Sequence, residues 1–352
     1  MTVMVLKNLP RLSVRALRVG LLATTSLLAS GCYLMQAARG QLAVMRARQP
    51  IDKILAHPAT GETLKAQLIR ARRIREFASR ELGLPDNAAY RSYADIGRRY
   101  VVWNVVATPE FSVTPRQWCF PIAGCVAYRG YFSEAAANRF AATLKQQGDD
   151  VIVGGVTAYS TLGHIADPLL NTVIGYPELD LAALIFHELA HQVAYLPGDS
   201  SFNEAFATAV EEEGVARYAA QLEDASVLAR WQQRRRLRIE ITAEIIATRN
   251  DLARLYRQRI APEAMRQRKA ERLTQLADAI RAVEKRENRS SGYGGWVEQG
   301  LNNAQLASVA TYYDQVPQFE ALLKNQCGDY LPCLYTKVKQ QIVERRTKKP
   351  AS

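Results

Sequence analysis

Two neighbouring stretches decide the fold and the chemistry of this chain: HELAH at residues 187–191 and FNEAFATAVE at residues 202–211. The histidines of HELAH are four positions apart, so on a helix both imidazoles lie on one face and point at one position. Glu188 lies about 100° around the helix from His187, close enough to hold a water without binding a metal. The spacing predicts a helix that presents two metal ligands and one general base.

The helix that carries HELAH is predicted to be buried. From Leu181 to Tyr195 the positions outside the motif are nearly all apolar, which is typical of a helix covered on every side. The segment PGD at 197–199 ends this pattern, and a second helix is predicted from Phe202 to Ala219. A carboxylate and two imidazoles inside a core are costly unless they are paired or bind an ion. This cost favours a metal site over two ordinary core histidines.

Glu204 is the candidate third metal ligand, because the break at 197–199 allows the second helix to return across the first. A catalytic zinc site has three protein ligands and one open position. The alternative for Glu204 is local, since Ser201 and Glu204 have the spacing of a capping box, in which the carboxylate only satisfies a backbone amide. Glu211 shares the helix face of Glu204 and is either an alternative ligand or a partner that orients a ligating histidine.

The composition argues against a disordered chain, a collagen-like chain and a multi-span membrane protein. The 352 residues are 48% hydrophobic and 23% charged, and the mean hydropathy is −0.18. These values are close to those of average soluble globular proteins. The formal net charge of +12 is unusual, so its location along the chain matters.

Residues 1–31 have the pattern of an export signal. Cationic residues precede an apolar stretch that is too short to span a membrane as a stable helix, and small residues follow it directly before Cys32. The alternative is an uncleaved membrane anchor, and either interpretation places residues 33–352 outside the cytoplasm. The cations are Lys7, Arg11, Arg15 and Arg18, the apolar stretch is 19–29, and the small residues are Ser30 and Gly31.

The string LASGC at 28–32 resembles a bacterial lipobox, although Ala29 stands where that pattern prefers Leu, Val or Ile. The resemblance implies cleavage before Cys32 and lipid modification of its sulfur. Tyr33, rather than Asp, follows Cys32, which in lipoproteins of this type implies export to the outer membrane. We therefore expect a chain that is lipid-anchored in the bacterial cell envelope and faces the periplasm.

The remaining cysteines are Cys119, Cys125, Cys327 and Cys333. An even number in an oxidising compartment predicts two disulfides, and four cysteines allow three connectivities. Cys119 and Cys125 are six positions apart, and so are Cys327 and Cys333; a proline and a glycine lie within each pair. Two local loops are therefore favoured over the other pairings, and free buried thiols fit an extracytoplasmic chain poorly.

The whole pattern predicts an α+β chain that is mostly helical. Helical periodicity extends from Tyr33 to Leu84, and two β-rich segments, Tyr100–Ala107 and Val151–Tyr159, predict strands. We divide the chain into the export signal at 1–31, a region of N-terminal helices, small sheet and catalytic core at 32–222, a basic helical hairpin at 223–289, and a C-terminal helical segment with a basic tail at 290–352.

The segment 223–289 is predicted to form an antiparallel helical hairpin, because its apolar positions step by three and four on both sides of Pro262. It contains 17 Lys/Arg against 10 Asp/Glu, so it carries most of the excess charge. The run 234–236 (RRR) is expected on a solvated face, with anionic lipid head groups as the alternative partner. Nucleic acid is disfavoured because no nucleic-acid-binding signature accompanies the charge. The apolar positions are Ile241, Ile245, Thr248, Leu252, Leu255, Leu273, Leu276, Ile280 and Val283.

HELAH followed by FNEAFATAVE resembles the glutamate zincins, metallopeptidases that carry HExxH and then a helix containing an NE pair. More closely, the chain from Cys32 to about Phe319 resembles a bacterial family of putative aminopeptidases predicted to be zinc lipoproteins. The strings that carry this resemblance are GCYLMQAARGQL, WCFPIAGCVAYRGYF, AYSTLG, DPLLNT, HELAHQ and FNEAFATAVEEEG.

This resemblance implies a zincin-like core in which a small sheet packs on the two motif helices. It implies one Zn²⁺ per chain with His187, His191 and Glu204 as ligands, Glu188 as catalytic base, and a peptide as substrate. The well-known aminopeptidases of this class recognise the substrate amine through a GAMEN segment, which the sequence lacks. Glu211 is the residue that would pair with an amine, unless it orients a zinc-bound histidine or simply faces solvent.

Hydrolysis also requires a donor that stabilises the oxyanion. Tyr218, Tyr159 and His164 are the candidates, although half-buried packing is the commoner role of such tyrosines. The segment Val151–Ser160 resembles the edge strand along which zincins hold an extended peptide.

Two functions from different classes follow. The first is a zinc-dependent peptide hydrolase of the envelope, in particular an aminopeptidase. The second is a non-enzymatic envelope lipoprotein in which the metal is structural and the basic hairpin binds a partner. A structural zinc site normally has four protein ligands and the sequence offers three, so the enzyme is favoured.

Overall fold

The computed structural model describes Tyr33 and residues 35–120, 124–309 and 315–348. The predicted export signal and Cys32 lie outside the described residues. The described part of the chain is mostly helical, with 63% of its residues in helices and small sheets between them. This agrees with the predicted α+β class.

Short strands alternate with helices in the first half of the chain, and helices dominate the second. The first half contains α1 (35–47), β1 (Arg48–Pro50), α2 (Ile51–Ala56), α3 (Glu62–Arg80), β2 (Ser92–Ala94), β3 (Val102–Pro109), β4 (Trp118–Phe120), β5 (Gly124–Val126), β6 (Arg129–Tyr131), α4 (Glu134–Gln146) and β7 (Asp149–Val156). The second contains β8 (Leu169–Leu170), α5 (Asn171–Ile174), α6 (Glu178–Val193), α7 (Ser200–Ala219), α8 (Ala225–Leu255), α9 (Pro262–Glu287), α10 (Gly294–Gln299), α11 (Asn303–Val309), α12 (Val316–Cys327) and α13 (Leu331–Lys348).

The described strands form three small sheets, in the orders β1-β2-β8, β6-β3-β7 and β4-β5. The two predicted strands correspond to β3 and β7, which pair antiparallel with Val105 opposite Val153. Strand β7 ends at Val156, and β3 extends to Pro109. Although β7 is an edge strand, the carbonyl oxygen of Val151 accepts a hydrogen bond from Asn302 Nδ2 at 3.3 Å, so part of that edge is already occupied.

The helix α6 lies inside the largest core of the chain, as its apolar sequence predicts. Its residues Leu181, Ile185 and Phe186 are fully buried, and α6 packs chiefly against α7 and α3. The packing is tight at Gly214 of α7, where an added Cβ would lie 2.7 Å from Cδ2 of Phe186 and 2.8 Å from Cδ1 of Leu82. The two motif helices therefore approach each other more closely than a side chain at position 214 would allow.

The small sheets pack against different helices, and the zincin-like arrangement of one small sheet on both motif helices stays a prediction. The sheet β6-β3-β7 packs on α4 and α11, and its inward residues Trp103, Val105 and Ala107 form a separate core with α4. Residues of β2 and β8 share the main core with α6 and α7.

The predicted basic hairpin is present as α8 and α9, which pack against each other around a shared apolar core. The run 234–236 does not form a simple solvated face, however. Arg234 pairs with Asp180 of α6 at 2.6 Å, and Arg235 pairs with Glu212 of α7. These ion pairs dock the hairpin onto the two motif helices, and Arg236 alone of the three is exposed.

The N-terminal region is helical with one interruption, since β1 separates α1 from α2 and α3. The C-terminal region contains the helices α10 to α13, in agreement with the predicted helical segment. Cys119 and Cys125 on β4 and β5 lie at disulfide distance, as do Cys327 and Cys333 between α12 and α13. These contacts fit the two local loops.

Within the described ranges, no helix combines the length and the apolar character that a membrane span requires.

Candidate metal centre

The turn between α6 and α7 is held by Asn203. Its Oδ1 accepts a hydrogen bond from the Leu196 backbone N–H at 2.7 Å, and its Nδ2 donates to the Leu196 carbonyl at 2.9 Å. The helix α7 is capped by Asp199, whose side chain accepts from the N–H of Phe202 at 3.0 Å. The capping-box alternative for Glu204 is therefore wrong, because the cap is two residues before Ser201 and Glu204 faces the histidines.

Three side chains from α6 and α7 converge on one position. Nε2 of His187 lies 3.1 Å from Oε2 of Glu204 and 3.2 Å from Nε2 of His191, and Nε2 of His191 lies 3.7 Å from Oε1 of Glu204. A tetrahedral zinc with bonds of about 2.0–2.1 Å separates its ligands by about 3.3–3.4 Å. Within the described part of the chain, these three residues form a group that could hold one metal ion.

The charges around this cluster favour a cation. Burial opposes a charge on His187, but its hydrogen bonds to the Glu204 and Glu211 carboxylates outweigh burial and raise the pKa of His187 well above its ordinary value. Burial and the neighbouring His187 lower the pKa of His191 to about 4. Burial would raise the pKa of Glu204, yet its contacts with the histidines lower it overall. Two carboxylates thus surround a position that attracts positive charge.

Glu211 contacts the opposite side of His187. Its Oε2 lies 3.0 Å from Nδ1, whereas Nε2 of the same imidazole faces the cluster. Metal-binding histidines commonly engage a carboxylate through their second nitrogen, which fixes the orientation of the ring. Of the alternatives for Glu211, this geometry is that of an orienting partner.

Glu188 lies beside the ligands without joining them. Burial raises the pKa of Glu188 to about 7, with the charge of His187 opposing this shift and that of Glu204 adding to it. A carboxylate held in such surroundings is suited to accept a proton near neutral pH.

Two tyrosines that no metal-binding motif contains, Tyr128 and Tyr195, lie near the cluster. Desolvation, Tyr195 and then Glu204 raise the pKa of Tyr128, while desolvation and Glu204 raise the pKa of Tyr195. The ring of Tyr195 packs edge-on against His191 at a centroid distance of 6.3 Å. Tyr128 is 46% exposed, so it can meet a molecule arriving from solvent. Its only sequence signal is its place in WCFPIAGCVAYRGYF.

A third tyrosine, Tyr90, lies within the electrostatic influence of Glu188. It is fully buried with a left-handed backbone φ of 60°, a conformation unusual for a bulky side chain. Burial and the charges of Glu188 and Asp167 raise the pKa of Tyr90 well above its ordinary value. The loop that carries Tyr90 is held by Arg75, whose buried guanidinium donates to the carbonyls of Ala89 and Pro85 at 2.9 and 2.7 Å.

The three predicted oxyanion donors make their described contacts with residues outside the cluster. The hydroxyl of Tyr218 donates to Glu178 at the start of α6 at 2.7 Å and accepts from Arg73 at 3.0 Å. The hydroxyl of Tyr159 contacts Gln41 of α1. His164 is exposed, and its backbone N–H donates to Thr161. None of these contacts joins the three residues to the cluster, and their role in stabilising an oxyanion stays a prediction.

The fold and the site together define a class of protein: a mostly helical α+β chain in which an HExxH helix and the helix after it join two histidines and a glutamate at one position. The profile of the family described as "Putative aminopeptidase" matches residues 32–351, and the chain belongs to this family. A comparison with curated proteins finds no match. A comparison with solved structures finds none either.

Proposed function

We propose that this chain is a zinc-dependent peptide hydrolase, and specifically an aminopeptidase. The convergence of His187, His191 and Glu204 carries the proposal, because their atoms are spaced as ligands of one ion. The family description supports peptide hydrolysis. A group of three protein ligands in the described ranges also fits a catalytic site, which keeps one position open, better than a structural site, which normally has four.

The mechanism divides the work among the residues of the site. Zinc held by the three ligands would supply a water with a pKa of about 7 and polarise the scissile carbonyl. Glu188 accepts the proton of the attacking water and passes it to the leaving amine. Glu211 holds Nδ1 of His187, so that Nε2 stays directed at the cluster. Tyr128 and Tyr195, near the cluster, supply hydroxyl donors for the oxygen that gains charge.

The exopeptidase assignment has separate support. The family description favours an aminopeptidase, and recognition of a free amine needs a carboxylate near the cluster. Glu211 is such a carboxylate, but one of its oxygens already contacts His187. Amine recognition by Glu211 therefore has its own criterion. If Glu211 binds the amine, its substitution should lower the preference for a free peptide over an acetylated peptide while zinc affinity stays unchanged.

We also propose that the chain works in the bacterial envelope, lipid-anchored at Cys32 and facing the periplasm. The string LASGC at 28–32 supports the anchor. Two cysteine pairs at disulfide distance fit an oxidising compartment.

The experiment that tests this function compares a short peptide with its N-acetylated form, using purified protein with and without zinc. We expect release of the N-terminal residue from the free peptide, loss of activity on chelation, and recovery on addition of Zn²⁺. Equal cleavage of both peptides would exclude the aminopeptidase and retain the zinc hydrolase. Full activity in metal-free protein would contradict both.

A further inference from the structure

The helix α1 (35–47) presents two opposite faces. Its inner face is docked: Gln36 Oε1 accepts from the Phe132 N–H at 3.1 Å, Gln36 Nε2 donates to the Gly130 carbonyl at 3.3 Å, and Val44 is buried in the main core. A Cβ at Gly40 would collide with the Phe132 ring, so the helix lies directly on β6 and the residues after it. These contacts fix which side of α1 faces outward.

The outward face combines apolar and cationic side chains. Met35, Arg39, Leu42 and Arg46 fall within an arc of about 60° around the helix axis, and all four are exposed. Met35 is 52% exposed and Leu42 is 47% exposed, which places them among the most exposed large apolar residues in the described chain. We call this face, defined by these four residues, the outer stripe of α1.

The outer stripe borders a cleft of about 460 Å³. Arg98 lies in this cleft, where its guanidinium donates to the carbonyls of Phe132 at 2.6 Å and Val101 at 3.0 Å. Within the described ranges, no carboxylate pairs with Arg98, Arg39 or Arg46. The cleft is lined by Met35, Gln36, Arg39, Gly40, Arg98, Phe132 and Ser133.

The charge of this region has no local compensation in the sequence either. The first acidic residue of the chain is Asp52, so the segment from Tyr33 to Ile51 carries three arginines and no carboxylate. Elsewhere in the described chain, many basic side chains form ion pairs with carboxylates, as Arg234 does with Asp180. The outer stripe and its cleft are therefore a cationic surface with exposed apolar groups.

We propose that the outer stripe of α1 and the adjoining cleft bind the phosphate-bearing head groups of anionic phospholipids, with Met35 and Leu42 inserted at the acyl boundary. A helix with arginines beside exposed apolar residues suits the membrane interface. The arginines supply attraction to phosphate, and Arg98 supplies a further cation inside the cleft.

Chain connectivity identifies the partner as lipid. Tyr33 is covalently joined to Cys32, the proposed site of lipid attachment, so α1 is the first helix after the anchor. A tether this short holds the helix near head groups at high effective concentration. This step uses the proposed anchorage but not the proposed peptide hydrolysis.

The test uses flotation of the purified full-length chain with two kinds of vesicle: phosphatidylcholine alone, and three parts phosphatidylcholine to one part phosphatidylglycerol. We expect tighter binding to the anionic vesicles and slower amide exchange across 35–47. Phosphatidylglycerol should raise the affinity of the wild-type chain for vesicles. The double variant Arg39→Gln with Arg46→Gln should lower this increase in affinity about 25-fold, since each arginine near an anionic surface contributes about five-fold.

The matched control is Arg257→Gln with Arg259→Gln, which removes the same charge from two exposed positions at the turn of the hairpin. This control should show the same increase in vesicle affinity with phosphatidylglycerol as the wild-type chain. An equal loss in the control, or equal binding of the wild-type chain to both vesicles, would overturn the proposal. Arg39 and Arg46 are exposed, so the test pair should fold normally. Peptidase activity is measured separately, and its absence would contradict only the proposed function.

Discussion

Nδ1 of His187 lies 3.0 Å from Oε2 of Glu211, while Nε2 of the same ring faces His191 and Glu204. One imidazole thus connects two carboxylates that are both carried by α7. This arrangement fixes the ring of His187 from both sides, and it ties the position of α6 to that of α7 within the cluster.

The first prediction concerns metal content. The purified protein should contain about one zinc per chain, and His187→Ala or His191→Ala should lose it, because each removes one of three ligands. Elemental analysis of the purified variants measures this directly. His164→Ala is the control, since His164 is exposed and lies outside the cluster. Full zinc in both ligand variants would remove the proposed site.

The second prediction separates chemistry from metal binding. Glu188→Gln should retain zinc and the fold but lose the proton acceptor, so kcat should fall by about 10²–10⁴-fold. Steady-state kinetics on the cleaved peptide, with zinc content measured alongside, gives the answer. Glu76→Gln, at an exposed position on α3, should behave as wild type. A normal rate in Glu188→Gln would show that another group accepts the proton.

The third prediction distinguishes the two roles of Glu211. If it orients His187, Glu211→Gln should weaken zinc binding by about 10–100-fold. If it binds the substrate amine, zinc affinity should stay unchanged and the preference for free over acetylated peptide should fall. We expect the first result from the contact with Nδ1. Glu213→Gln on the same helix, where Glu213 pairs with Arg217 at 2.7 Å, is the control.

The fourth prediction concerns the turn before α7. Asn203→Ala removes both bonds to the buried Leu196 backbone, and leaving these groups unpaired should lower the free energy of unfolding by about 2–3 kcal/mol. Zinc affinity should fall too, because Glu204 follows directly. Thermal unfolding with and without zinc measures both effects. Ser201→Ala should cost about 1 kcal/mol or less, and an equal loss there would argue against the special role of Asn203.

The fifth prediction concerns the anchor. Cys32→Ser should abolish lipid modification, because the acyl group is attached through the cysteine sulfur. Labelling cells with a traceable fatty acid and recovering the protein tests this. Label retained by the variant would contradict the proposed lipid anchor without affecting the metal site.

Helix geometry explains why much of the site could be predicted from sequence. A spacing of four places His187 and His191 on one face whatever surrounds the helix, so local sequence is sufficient. The role of Glu204 was harder to predict, because its spacing from Ser201 also suits a capping box. Only the folded turn shows that Asp199 caps α7 and leaves Glu204 free to meet the histidines.

Contacts between distant segments explain what could not be predicted. Tyr218 and Tyr128 are both tyrosines near conspicuous motifs, yet one bonds to Glu178 at the far end of α6 while the other lies near Glu204. The RRR run has the pattern of a solvated face, but Arg234 finds Asp180 from 54 positions away. Periodicity predicts which face of a helix is buried and does not identify its partner.

Gly214 sets a limit on how this protein can vary. A Cβ there would meet Phe186 and Leu82 at less than 3 Å, and Gly214 lies one turn beyond Glu211 while Phe186 directly precedes His187. A larger residue at 214 would have to displace Phe186 and Leu82, and a displaced Phe186 would disturb α6 next to the proposed metal position. Laboratory selection for a more stable variant should therefore leave Gly214 unchanged. A variant that binds a different metal by changing the distances between the proposed ligands would need compensating substitutions on both helices at once.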